Sequence, residues 1–66
     1  MSEPLTDREQ KWLALLSQGW RRKDMSQALK TNSNVTDQIG YNVYQKLGAD
    51  NAAHAVAIAF RSGLLK

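Results

Sequence analysis

Apolar residues recur along this chain at spacings of three and four, the period of an α-helix, in four blocks separated by short polar breaks. In the first block Trp12, Leu13, Leu15 and Leu16 make one apolar face. Thr6 followed three residues later by Glu9 forms a capping box at its start, Leu5 is placed as the apolar staple, and Gly19 stops it. The pattern predicts a first helix over residues 7 to 18. In "RRKDMSQALK" the residues Met25, Ala28 and Leu29 stand at i, i+3 and i+4, which suits a short second helix of about two turns. "KTNSN" then gathers turn and capping residues over so few positions that only a tight connection fits.

Val35, Ile39, Val43 and Leu47 recur every four residues and predict a third helix from Ser33 to Leu47, ended by Gly48. Asn51 caps a fourth helix, "AAHAVAIAFRS", which closes at Gly63 before the apolar tail of Leu64 and Leu65. The reading is all-α: a four-helix domain over residues 5 to 66 with a helix-turn-helix at its centre, preceded by a tail of residues 1 to 4. Gly40, inside the third helix, costs about 1 kcal/mol relative to alanine. It implies either a bulky neighbour that needs the space or a bend, and the sequence leaves both open.

The fourth helix is apolar nearly all round. Ala52, Ala55, Val56, Ala59 and Phe60 make one face, suited to a core, while Ala53, Ala57 and part of Ile58 make another, with Arg61 beside them. That second face has two readings. Its small residues permit close approach of a second chain, or its alanines serve as good helix formers on a solvated surface.

With 66 residues and no cysteine, the chain is one domain near the lower size limit for a stable core, without disulfide or thiolate chemistry. A composition 42% hydrophobic and 23% charged is that of a folded domain. "MSEPLTDREQ" is acidic where a signal peptide is basic, and "AAHAVAIAF" falls well short of the roughly 20 apolar residues of a spanning helix. The expected location is the cytoplasm.

The net charge of +3 is concentrated. Arg21, Arg22, Lys23 and Lys30 against Asp24 give +3 within residues 21 to 30, whereas residues 31 to 50 carry −1. Such a patch is either a footprint for phosphates or a solvated loop. Little else carries chemistry. His54 is the single histidine and reads as a surface residue, no metal or cofactor site is expected, and none of Ser17, Ser26, Ser33 or Ser62 has a base beside it. The chain reads as non-enzymatic. Trp12 is expected in the core, Trp20 as a lid over the junction of the first two helices, Tyr44 inward and Tyr41 outward.

"LTDRE" (Leu5 to Glu9), "LALLSQG" (Leu13 to Gly19), Lys23, Leu29, "KLG" (Lys46 to Gly48), Asn51, Ala55 with Val56, and "GLL" (Gly63 to Leu65) resemble the LuxR-type, or GerE-like, bacterial DNA-binding domain, without a gap over nearly the whole chain. The resemblance implies a third helix that enters the major groove of double-stranded DNA. It also implies a fourth helix that often pairs with a second copy; Ala53, Ala57, Ile58 and Arg61 on the second face are the expected contact with such a copy or with a LuxR-type partner. In such a fold the start of the second helix and the region before the third lie beside the DNA backbone. Arg21, Arg22, Lys23 and Lys30 are therefore the phosphate candidates.

The departures from the family fall in the third helix. A basic residue is usual at positions matching Asn34 and Asp37, and a register one residue shorter moves those positions to Ser33 and Thr36, so neither register supplies a cation. The face carries amides and hydroxyls instead. Asn and Gln can pair with adenine, Thr can touch a thymine methyl, and Asp can accept from cytosine N4, so Asn34, Thr36, Asp37, Gln38 and Tyr41 are the expected base-reading residues. Two functions follow: a small transcriptional regulator, or a module that no longer binds DNA and modulates a partner regulator.

Overall fold

The computed structural model describes residues 4–65. Four helices follow in order: α1 (Asp7–Ser17), α2 (Arg22–Ala28), α3 (Ser33–Leu47) and α4 (Ala52–Arg61), with no strand among the described residues. Each boundary lies within a residue or two of the pattern's prediction. Among the described residues no helix is long and apolar enough to cross a membrane.

Local chemistry sets these ends. At α1 the Glu9 N–H donates to Thr6 Oγ1 at 3.1 Å and the Thr6 N–H donates to Glu9 Oε1 at 2.9 Å, the reciprocal capping box. Asn32 and Asn51 accept from the N–H groups of Val35 and His54, each at 2.9 Å, and so start α3 and α4. All four helices stop in the same way. A residue in left-handed conformation follows the last turn and two N–H groups fold back onto the orphan carbonyls, as with Ala49 to Tyr44 and Leu64 to Ala59. Three of the four use glycine, but α2 uses Lys30 at φ 57°, a conformation that costs a residue with a β-carbon about 1 kcal/mol.

The core draws on every helix: Trp12, Leu13 and Leu15 from α1, Met25 and Leu29 from α2 and its end, Ile39 and Val43 from α3, Ala55 and Ala59 from α4. Leu5, Leu64 and Leu65 pack against its edges, which gives the staple and the apolar tail their use. A β-carbon at Gly40 would stand 2.5 Å from Trp12 Cζ2, closer than atoms pack. The indole therefore needs the missing side chain. Of the two explanations for this glycine, the bulky neighbour is the one present. Trp12 also meets Tyr44 edge to face, with ring centroids 5.8 Å apart, so Tyr44 turns inward as expected.

One ion pair crosses the same interface. Lys46 donates from Nζ to Glu9 Oε1 at 2.7 Å, with both side chains largely buried. Burial pushes the Glu9 carboxyl up, but the Lys46 hydrogen bond and charge, with the Thr6 backbone and hydroxyl donors, outweigh it, and the net pKa is lowered from 4.5. Lys46 is thus committed to the fold and is not a surface cation.

Two stability predictions follow from these contacts. Gly40→Ala should destabilise by about 1–3 kcal/mol although alanine is the better helix former, and in a Trp12→Leu background the same change should be neutral or stabilising. Urea unfolding of the four proteins checks the coupling, and a loss of equal size in both backgrounds would refute the steric account. Because the native pKa of Glu9 lies below the unfolded one, its contribution is present above about pH 4.5 and is lost as pH falls through the native pKa. Glu9→Gln should therefore lower stability at neutral pH by about 2 kcal/mol and show a shallower acid slope than the wild type in thermal melts between pH 7 and 3.

Candidate nucleic-acid interface

α3 buries Thr36, Ile39, Gly40 and Val43 and leaves Asn34, Asp37, Gln38, Tyr41 and Gln45 exposed at i, i+3, i+4, i+7 and i+11. This is one continuous outward stripe of amides, a carboxylate and a phenol. Gln38 Nε2 donates to Asn42 Oδ1 at 3.2 Å along it, and Tyr41 is 58% exposed. Four of the five expected base-reading residues share the stripe. Gln45 was not anticipated, although its place four residues beyond Tyr41 extends the same face.

Thr36 is the correction. It is 1% exposed and cannot meet a ligand. Its Oγ1 lies 2.6 Å from Ser26 Oγ of α2, while Thr36 Oγ1 also reaches the Asn32 carbonyl at 2.9 Å and Ser26 Oγ the Arg22 carbonyl at 3.0 Å. Two hydroxyl protons serve three contacts, so one hydroxyl donates to its neighbour and that neighbour donates on to a carbonyl of its own helix. The pair joins α2 to α3. A hydroxyl at this position is explained by the packing of the two helices.

The expected phosphate residues divide into two groups. Arg21, Arg22 and Lys23 stand exposed at the start of α2, and Arg22 Nη1 donates to Asp37 Oδ2 at 2.9 Å, which fixes this cluster beside the α3 stripe. Lys30 stands at the other end of α2, about 10 Å of helix away. There it shares an open depression of about 380 Å³ with Arg8, Lys11 and Asp7 of α1. A run of basic residues in sequence has become two corners of the domain. Arg21 and Lys23 make no ion pair among the described residues.

On α4, Ala55 and Ala59 are fully buried, but Phe60 is 50% exposed, contrary to its expected place on the inward face. It sits with Ala53 and Ala57 at i, i+4 and i+7, on an apolar stripe turned away from the core, and Arg61 flanks it. Ile58 is half-buried and lies beyond Arg61 on the same side of the helix, off the stripe. Trp20 lines an open depression between the end of α1 and α2, at the junction where a lid was expected, but it is 41% exposed and donates to Gln18 Oε1 at 3.2 Å. His54 lies at the surface as expected, its side chain 40% exposed, and accepts the Asp50 N–H at 3.1 Å through Nδ1, which tightens the start of α4. No group of three metal-binding side chains occurs among the described residues.

No family model, curated protein or solved structure matches the chain.

Since Val at position 36 would orphan no buried group, Thr36→Val should cost no more than about 1 kcal/mol. Ser26 keeps the Arg22 carbonyl, and the Asn32 carbonyl keeps the residue-36 N–H at 2.9 Å. Chemical denaturation measures this, and a loss above about 3 kcal/mol would mean that the hydroxyl pair is required for α2 to dock.

Proposed function

We propose that this domain is a helix-turn-helix DNA-binding module of LuxR-like type that lays α3 in the major groove and acts in transcriptional regulation. The observation that carries the reading is the contact of Arg22 with Asp37, which sets the cationic start of α2 against the outward stripe of α3. Cations then position the domain on phosphates while Asn34, Asp37, Gln38 and Tyr41 face base edges. With few cations beside the stripe, non-specific affinity is low, since each neutralised phosphate contributes about 0.9 to the salt slope. Two copies then give useful occupancy, and the stripe of Ala53, Ala57 and Phe60 is the surface on which a homodimer, or a heterodimer with a LuxR-type regulator, forms.

A second reading has its own observation. Asp37 neutralises one of the three cations beside α3, as suits a module that has left DNA and uses the α4 stripe to modulate a partner regulator.

An amide chemical-shift titration with a mixed-sequence duplex separates the two. DNA binding should shift Arg21 to Lys23 together with Asn34 to Gln38, and the shifts should fade as salt rises. Lys23→Ala should weaken binding to all sequences and lower the salt slope by about 1, whereas Gln38→Ala should change the preferred base. Silence at low salt, together with loss of self-association or partner binding in Ala57→Glu, would favour the second reading.

A further inference from the structure

We propose that Asp37 acts as a gate on Arg22, holding the guanidinium away from phosphates on arbitrary DNA and releasing it where a cytosine faces the carboxylate. The inference rests on the DNA-binding reading and adds to it a mechanism of sequence discrimination. Asp37 is the single acid in α3, and it stands against the middle one of three consecutive cations. Both partners are well exposed, 61% for Arg22 and 53% for Asp37, so incoming DNA reaches them as they are.

An exposed pair is weak and screened by salt, so a phosphate oxygen competes for the guanidinium readily. What opposes the exchange is the fate of Asp37. Displaced from Arg22, its carboxylate lies against a polyanion with no partner, which costs back what the new contact supplies. On most sequences the pair therefore stays closed and Arg22 releases no counterion. A cytosine changes the balance because its N4 amino group donates to a carboxylate in the major groove. Asp37 is then satisfied by the base, and Arg22 is free to take a phosphate. Discrimination arises here from a penalty on wrong sequences as much as from a contact with the right one.

Fluorescence anisotropy with a mixed-sequence duplex and an all-A·T duplex, between 50 and 200 mM salt, tests this on wild type, Asp37→Asn, Arg22→Ala and the double variant. Circular dichroism confirms that each is folded. Asp37→Asn should bind the A·T duplex about 8-fold more tightly at 0.1 M salt, with a slope steeper by about 0.9, the contribution of one released counterion. Arg22→Ala alone should change little on that duplex, and in the Asp37→Asn background it should abolish the gain. The wild type should prefer the cytosine-containing duplex and Asp37→Asn should lose that preference.

A gain that survives Arg22→Ala would show simple removal of a negative charge and overturn the gate. So would unchanged affinity in Asp37→Asn while the wild type binds, and in both cases the DNA-binding reading would stand. Absence of binding by every variant at 50 mM salt would remove that reading and the gate together.

Discussion

The seating of the Trp12 indole against the bare backbone of Gly40 is the constraint from which the other contacts of this domain follow. A β-carbon there would stand 2.5 Å from the ring. The contact brings α1 and α3 together more closely than any side chain at that position permits. Once the indole is seated, the rotation of α3 about its axis is decided. Ile39 and Val43 turn to the core, Tyr44 meets the indole edge on, and Lys46 reaches Glu9 one and a half turns along. The face turned away from these buried residues is left to solvent, and it carries Asn34, Asp37, Gln38 and Tyr41.

A domain this small has little apolar area to spare and is marginally stable, so single contacts of about 1 kcal/mol matter. Its buried polar groups are all partnered: no buried side-chain nitrogen or oxygen among the described residues lacks a hydrogen bond. Glu9 is held by the cap and by Lys46, and Ser26 and Thr36 bond to each other while one of them donates on to a carbonyl of its own helix. These polar contacts lie where pairs of helices meet. They fix the angles between elements that the apolar residues alone would leave looser, because hydrogen bonds have direction and hydrophobic contact does not.

The same geometry governs the electrostatics. Lys46 is withdrawn into the fold, Lys30 is carried to the corner with Arg8 and Lys11, and Arg22 is paired with Asp37. Arg21 and Lys23 are what remains at the start of α2 without an ion pair among the described residues. Under the DNA-binding function proposed above, a surface with so few cations leaves contacts with bases to do much of the discrimination. It suits a non-specific polyanion binder poorly.

Caps, stops and helix spans were legible in the chain because they depend on residues three to five positions apart. Thr6 with Glu9, Asn32, Asn51, Gly19, Gly48 and Gly63 act through such local hydrogen bonds, and the helices begin and end where those residues stand. The position of Trp12 in the core was legible too, from the leucines around it. What only the tertiary structure decided is how the elements meet. That Thr36 is inside, that Phe60 is half exposed, that Gly40 makes room for an indole, and that Asp37 finds Arg22 fifteen positions away all depend on the rotation and crossing of whole helices. A periodic pattern gives each helix an apolar side, but it is the volume and hydrogen bonding of the neighbouring helix that choose where that side ends.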